Sequence, residues 1–563
     1  MVEPILASGN TWWAPTNSAV TRASITEIEI KDSYTPDASV TVTDSWDASA
    51  AKDGSVMCYV IGAKLIIAGN GSGYVYLNTN SAYAFGDFPT YMGGNGASFG
   101  KVTSFLGLEF LNLSRCTSIA YIFAFMSKVA SLNVSSWDVS NIENMSGIFY
   151  SCAKISALNL SNWNTRNAKH MANMFESCRS LASLDISNFN TSNCLSLPSF
   201  FDCELLQNIN LSHFVTDKIT SFRNLFYNCQ AMTKIDISSW DMSHATVTAR
   251  MFEECTNLEE ILLPTSFNFS GVTNSGTMFQ NCKKLKNIDV SKWDTSVCTN
   301  MSFMFYGCSS LGEIDVSNWN VSKVTNFDHF AAHANLKRKG IENWKPISAT
   351  NMNALFHNCA EEELDLSGWD VSKNQFFCQM FENSPNLKRI KGLDRWNTSA
   401  GLGFDGMFER CYKLEEVDLS SFNTTKAKNN VSGSTNGHKT ATLQNMFLSC
   451  NNLKKVKLGP NFSINGDGTN TTAGNKLILP TPSTDYITGA DGNWYAFNGD
   501  PYAPNAIQDK TAETYFASFP LCQNEDVIVK NGSLIDVAKA IKEKNGATDK
   551  YTPAQFGAAI RAL

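Results

Sequence analysis

Apolar and aromatic positions in this chain recur with a period of about 26 residues. Aligned on Phe-x-x-Cys, the register runs Phe149/Cys152, Phe175/Cys178, Phe200/Cys203, Phe226/Cys229, Phe252/Cys255, Phe279/Cys282, Phe305/Cys308, Phe356/Cys359, Phe408/Cys411 and Phe447/Cys450. Phe123, Phe330 and Phe381 fill the same register without the cysteine, and His333 falls in the Cys slot after Phe330. A second aromatic series keeps phase with the first: Trp137, Trp163, Phe189, Phe214, Trp240, Phe267, Trp293, Trp319, Trp344, Trp369, Trp396 and Phe422. Two ladders in one phase mark an internal repeat, in which each unit buries its apolar face against its neighbours.

One rung reads TNMSFMFYGCSSLGEIDVSNWNVS. Met301, Met304, Phe305 and Cys308 stand at helical spacing and predict a short helix. Ile314 and Val316 alternate around Asp315, which predicts a short strand, and Ser317-Asn318 supplies a turn. A strand plus a helix in 20 to 29 residues is the leucine-rich-repeat range. The expected fold is therefore α/β: a leucine-rich-repeat-like solenoid of about 13 rungs with parallel strands, spanning residues 106–458. Residues 46–105 predict a β-rich N-terminal cap and residues 459–522 a loop-rich aromatic C-terminal cap. Residues 1–45 read as an attachment arm, and 523–563 as a small helical appendix whose second helix starts near Pro553.

The formal net charge of -7 offers no basic stripe for nucleic acid. The N-terminal MVEPILASGNTWW has neither the basic residues nor the apolar run of a signal peptide, and YVIGAKLIIAG is too short to span a bilayer. An unexported chain without membrane insertion is the expectation. Its 16 cysteines recur mostly once per rung instead of in CxxC pairs, which predicts a buried thiol ladder in preference to disulfides or metal, although rung spacing alone does not forbid a bridge between neighbours.

Other side chains invite chemistry. His329, His333 and His357 suggest a metal site but bring no carboxylate at fixed spacing, so local packing is the better reading. The row Asn133, Asn159, Asp185, Asn210, Asp236, Asp289, Asp315, Asp365 and Asp418 suits turn hydrogen bonding better than a cation site. LKRKG at 336–340, AEEELDL at 360–366 and LKRIKG at 387–392 predict salt bridges between rungs in preference to a basic patch for an anionic polysaccharide. Trp494, Tyr495 and Tyr502, outside the array among Gly, Asn and Pro, are candidates for an exposed aromatic platform. The insertion after Phe422, with Asn430, Ser434, Asn436 and His438, is the leading candidate for a specificity loop. Neither a catalytic motif nor a cofactor motif is present, so a non-enzymatic binding protein is expected. A carboxylate pair assembled across rungs would make a polysaccharide depolymerase the alternative.

KIDISSWDMS, EIDVSNWNVS and NIDVSKWDTSVCTNMSFMFYGC resemble the BspA-like leucine-rich-repeat surface proteins over about 123–458. The segments WDASAAKDGSVMCYV, GNWYAFNGDPYAP and AKAIKEKNGATDKYTPAQFGAAIRAL look like those of the family's phage-encoded members. The resemblance implies adhesion: a phage tail-fibre or receptor-binding protein in the virion, or else a bacterial surface adhesin. Implied partners are a bacterial surface polysaccharide or outer-surface protein, and other tail proteins through the terminal regions. Oligomeric state stays open, with a homotrimer by analogy to fibres.

Overall fold

The computed structural model describes residues 2–9, 11–86, 99–265, 267–427, 443, 445–466, 477–497 and 500–518. The chain divides into two compact units: Met1–Ile288 with Cys308–Leu311, and Asp289–Gly307 with Gly312–Leu563.

Unit 1 begins with a five-stranded sheet of β1 (Glu27–Lys31), β2 (Asp44–Asp47), β3 (Met57–Ile61), β4 (Lys64–Ala68) and β6 (Ser104–Leu106), in the order β2-β3-β4-β1-β6. Gly62, at φ 59°, accepts the left-handed turn that closes the β3–β4 hairpin. β1 lies parallel to both β4 and β6, so it is an interior strand. Trp12 is fully buried, and its indole N–H donates to the Ala84 carbonyl at 2.9 Å. Part of the segment read as an attachment arm, 1–45, thus belongs to this sheet: alternating Ile28 and Ile30 need a covered face and take the sheet interior. The repeat follows, with β5 (Val75–Tyr76) parallel to β7 (Leu111–Asn112), β8 (Ala157–Asn159) to β9 (Ser183–Asp185), and β10 (Lys234–Asp236) to β11 (Glu260–Leu262).

In unit 2, β12 (Glu313–Asp315) pairs β13 (Lys337–Lys339), β14 (Glu363–Asp365) pairs β15 (Arg389–Lys391), and β16 (Glu416–Leu419) pairs β17 (Lys455–Leu458), all parallel. The sheet of β16 and β17 then continues through antiparallel strands. β18 (Trp494–Ala496), β19 (Pro501–Tyr502) and β20 (Glu513–Phe516) give the order β16-β17-β20-β18-β19. β20 thereby covers the backbone edge that β17 would otherwise expose. In each unit the parallel rungs have the leucine-rich-repeat-like solenoid arrangement. The predicted helical appendix at 523–563 lies outside the described residues.

The helix expected in every rung is absent: among the described residues helical geometry is limited to three-residue 3-10 turns. In the rung that includes Met301, the N–H groups of Met301, Phe303, Phe305 and Gly307 donate to Asn326, Asp328, Phe330 and Ala332 of the next rung at 2.8–3.0 Å. The intervening Met304 and Tyr306 donate three residues back within their own rung. This alternation requires left-handed backbone every fourth residue, as at Phe303 (φ 55°) and Gly307 (φ 69°), which no α-helix accommodates. Consecutive tight turns return every third or fourth side chain to the core, so Met301, Met304, Phe305 and Cys308 mimic a helical stripe. Local spacing alone does not separate the two.

The ladders do face inward. In unit 1, Phe123, Phe149, Phe175, Phe201, Phe226, Phe252 and Phe279 stack 5.5–6.2 Å apart with planes within 15°. In unit 2, Phe356, Phe381, Phe408 and Phe447 stack at 5.3–5.4 Å. Two assignments shift. Phe201, not Phe200, joins the stack, and Phe200 meets it edge-on at 4.7 Å. Phe305 donates to the Phe330 carbonyl, which makes Ala331 its counterpart and Ala334 the occupant of the Cys slot, not His333. The Trp series is equally consumed, as the indole N–H of Trp163 donates to Val134 and that of Trp319 to Val290, at 3.1 and 3.0 Å.

Most slot cysteines have a defined task. Cys152, Cys178, Cys255, Cys282 and Cys308 donate Sγ–H to the phenylalanine carbonyl one rung earlier at 3.0–3.2 Å. Ser384 fills the slot in its own rung and makes the same bond to Phe356 at 3.0 Å. A small donor is what the position requires. All fifteen cysteines among the described residues are buried, and none of them forms a disulfide. Burial pushes the Cys152 and Cys308 thiols up to about 12, so they stay protonated and unreactive. Iodoacetamide at pH 8 is therefore expected to leave the folded chain almost unlabelled and, without reductant, to label the unfolded chain nearly completely. Mass spectrometry reads both states, and resistance to labelling after unfolding would reveal disulfides.

Candidate functional site

Most of the polar repeat is structural. Asp236 Oδ1 accepts from the Ser238 N–H at 3.0 Å and its hydroxyl at 2.7 Å, and Asn133, Asp289, Asp315 and Asp418 make equivalent turns. Thr165 Oγ1 donates to the Asn190 carbonyl and accepts from the Asn190 N–H, at 2.9 and 2.8 Å, tying neighbouring rungs together. The turn reading of the Asp/Asn row therefore describes its geometry.

The histidines come together without forming a metal centre. His333 and His357 rings lie 4.3 Å apart, His329 Nδ1 is 2.6 Å from Asp328 Oδ1, and burial holds His357 down at about 3. No group of three or more His, Cys, Asp or Glu among the described residues is arranged to hold a metal ion.

The aromatic platform expected at Trp494, Tyr495 and Tyr502 is corrected. Trp494 and Tyr495 are fully buried in β18, where the indole donates to the Pro480 carbonyl at 2.8 Å and the Tyr495 hydroxyl meets Asp491. Their large apolar rings fill the terminal sheet instead of facing solvent. Tyr502 is half-buried and accepts from the Gln508 amide at 2.9 Å. Asn430, Ser434, Asn436 and His438 lie outside the described residues.

The strand face of unit 2 holds what remains. Outward residues alternate in sign from strand to strand: Glu313 and Asp315, Lys337 and Lys339, Glu363 and Asp365, Arg389 and Lys391, Glu416 and Asp418, Lys455 and Lys457. Register places opposite charges directly across each pair, as in Glu313↔Lys337 and Asp418↔Lys457. Lys339 reaches Asp315 at 2.7 Å, Arg389 reaches Glu363 and Glu416 at 3.4 and 3.5 Å, and Lys457 reaches Asp418 at 3.0 Å. The Lys339 ammonium holds Asp315 down at about 2, with Ser317 adding to the effect. These pairs realise the expected salt bridges, each worth about 0–1 kcal/mol when exposed. The strand-by-strand alternation was readable in the flanks of each strand's central apolar residue, but only once register was known.

A cleft of about 370 Å³ opens where β15, β16 and β17 adjoin. Ile390, Leu393 and Val417 lie beneath it, buried in the core, and at its surface Arg389, Lys391, Arg395, Lys455 and Lys457 outnumber Asp394, Glu416 and Asp418. Among the described residues Arg395 and Lys455 have no carboxylate within ion-pair distance. The cleft owes its shape to Gly392. Lys391 replaces the turn-capping Asp of other rungs, and the chain instead turns through Gly392 at φ 93°. A Cβ there would lie 2.4 Å from Ser367 Cα, so only glycine fits. Burial would raise Asp418, but bonds from Ser420 and Lys457 more than offset that and keep it below its ordinary range. It is a charged acceptor at neutral pH, unsuited to donate a proton.

Fold and site together define a leucine-rich-repeat-like scaffold with a charged strand face. A family profile described as "Mycoplasma protein of unknown function, DUF285" matches residues 117–235, 182–288, 259–361 and 328–452, more than half of the chain, and the chain belongs to that family. Among solved structures it is similar to a leucine-rich repeat protein from Bacteroides ovatus (16% identity, 54% of this chain and 82% of that one, TM-score 0.23). It is also similar to a leucine rich cell surface protein from Faecalibacterium prausnitzii (14%, 56% and 83%, TM-score 0.32). A third, a leucine-rich-repeat protein of Leptospira interrogans, is 12% identical over 61% of this chain and 90% of its own, with TM-score 0.16. No curated protein matches the chain. None of these descriptions names a phage protein, so the virion origin expected above gains no support from them. Among the described residues no helix is long and apolar enough to cross a membrane.

Proposed function

We propose that this protein is a non-enzymatic recognition protein of the bacterial cell surface, an adhesin of the BspA-like kind, with the β15–β17 cleft as its contact for an anionic group on a surface polysaccharide. The observation that carries this reading is the cleft itself: five cations against three carboxylates, in a chain of net charge -7 whose repeating groups are otherwise spent on packing. The volume falls within the usual range of ligand pockets, about 300–1,000 Å³. Asp418, kept charged, speaks for binding over acid-catalysed glycan cleavage.

Fluorescently labelled full-length chain is expected to bind intact bacterial cells, to be competed by their purified surface polysaccharide, and to weaken with salt. The double variant Arg395→Glu, Lys455→Glu is expected to reduce that binding about ten-fold or more with an unchanged melting temperature. Equal binding by the variant would remove the cleft from the function, and release of reducing sugar would replace adhesion by hydrolysis. Immunogold label on the producing cells fits the proposal, whereas label on phage particles would move the protein to the virion.

A further inference from the structure

The charge on the strand face of unit 2 has a period of its own. β12, β14 and β16 carry carboxylates on their outward side and β13, β15 and β17 carry cations, so like charge returns on every second rung. Neighbouring strands lie about 4.8 Å apart, which sets the charge period at about 10 Å. These side chains stay open to solvent: those of Lys339, Lys391 and Glu363 are 62%, 54% and 49% exposed. Their ion pairs run from strand to strand along the face, as where Arg389 stands between Glu363 at 3.4 Å and Glu416 at 3.5 Å.

The fold does not require this pattern. The corresponding outward positions in unit 1 are Ala157 and Asn159 in β8 and Ser183 and Asp185 in β9, yet those strands pair in the same parallel manner. Exposed ion pairs add little to stability, so rung pairing does not account for the alternation either. It ends at β20, which opposes Lys455 and Lys457 with Phe516 and Thr514. A sugar ring in an extended chain advances about one strand spacing, roughly 5 Å, so a polysaccharide lying across the strands sets one ring over each. A polymer with a negative group on every ring would meet a carboxylate strand at each second one, and that repulsion selects against it. A neutral polymer would leave the charges unused.

We propose that this face reads the charge sequence of a linear polysaccharide in which acidic and amino sugars alternate. Its acidic groups lie on β13, β15 and β17, and its ammonium groups on β12, β14 and β16. The proposal rests on the polysaccharide contact proposed above for the β15–β17 cleft, and makes that contact one member of a series. From β12 to β17 the face spans five strand spacings, about 24 Å, so a hexasaccharide covers it.

The test titrates the full-length chain with four soluble polymers. Hyaluronan carries an acid on every second sugar, its de-N-acetylated form adds an amine to the sugars between, polygalacturonate has an acid on every sugar, and chitosan has an amine on every sugar. The de-N-acetylated polymer is expected to bind about ten-fold tighter than polygalacturonate or chitosan, and to lose that advantage in about 0.5 M sodium chloride. Lys337→Glu, which alters β13 outside the cleft, is expected to weaken it about five-fold, with the melting temperature verifying folding. Equal binding of every acidic polymer, still reduced by Arg395→Glu with Lys455→Glu, would overturn the alternation and leave the cleft reading in place. Preference for the alternating polymer that Lys337→Glu weakens and the cleft variant does not would keep the alternation and move the contact off the cleft. Tightest binding of polygalacturonate would overturn the proposal, as would salt-sensitive dimers in sedimentation without any polymer bound, which would assign the face to a second copy of the chain.

Discussion

Arg338→Ala is expected to destabilise unit 2 by about 3–5 kcal/mol, because it strands a partly buried carboxylate. Arg338 is the middle residue of β13, in register with Ile314, where other rungs carry an aliphatic side chain. Its side chain is 1% exposed, it meets Glu361 through Nη2 at 2.7 Å and Nε at 3.1 Å, and its guanidinium lies 4.9 Å over the Phe356 ring. The Arg338 N–H also donates to Glu361 at 3.0 Å. Burial alone would raise the Glu361 carboxyl, but the Arg338 charge and these bonds outweigh it and hold the group below its ordinary 4.5. With the folded pKa below the unfolded one, this contribution is present at neutral pH and fades as pH falls through the carboxylate range. Without the Arg338 guanidinium, desolvation is opposed only by the backbone N–H groups of residues 338 and 361, so the folded pKa is expected to rise above the unfolded one and the sign to invert: the variant gains stability on acidification from pH 7 to 5. Thermal unfolding at both pH values checks this. Arg338→Ile with Glu361→Gln should recover most of the loss, since neither partner then leaves a buried charge. A variant as stable as the parent at pH 7 would show that the pair is not a determinant of the fold.

That arginine shows where reading the chain as a pattern stops. Period, inward ladders and turn-forming Asp and Asn were legible because stacking repeats the same demand in every rung, as the Phe252 and Trp319 positions illustrate. The helix was misread because successive left-handed turns reproduce its apolar spacing, and only the partners of the Phe303 and Phe305 amides distinguish the two. LKRKG read as a source of salt bridges between rungs, but not as a buried one: strand alternation sends its central arginine into the core, against Glu361, and its two lysines out. Trp494 read as exposed because its neighbours are loop formers, whereas antiparallel pairing with Tyr502 encloses it. The cleft was invisible for a related reason: Arg395 and Lys455 are 60 positions apart and adjoin only through the parallel stacking of β15, β16 and β17.

Phe252→Ala is expected to cost about 3–5 kcal/mol and to do so locally. Phe252 is fully buried between Phe226 at 5.6 Å and Phe279 at 5.5 Å, with planes 4° and 7° apart, so truncation opens a void shared by three rungs and removes both ring contacts. The same rung holds the Cys255 thiol against the Phe226 carbonyl at 3.0 Å, and the Cys282 thiol donates to the carbonyl of Phe252 itself at 3.1 Å. Collapse of the site would therefore pull on the hydrogen bonds of both neighbours. In a repeat array, stability is approximately a sum of intrinsic rung terms and nearest-neighbour terms, and Phe252 contributes to two of the latter. Hydrogen exchange should accordingly show faster exchange concentrated at amides of the three adjoining rungs, such as Phe226, Phe252 and Cys282, with little change at Ile28 and Ile30 in the N-terminal sheet. Uniform loss of protection across unit 1 would instead mean that it unfolds as one cooperative body, and that the void is felt by the whole unit and not by its neighbours alone. Phe252→Leu, which keeps most of the volume but not the ring, separates the contributions: a cost near 1–2 kcal/mol assigns the stability to filled space, and a cost close to that of alanine assigns it to the aromatic stack.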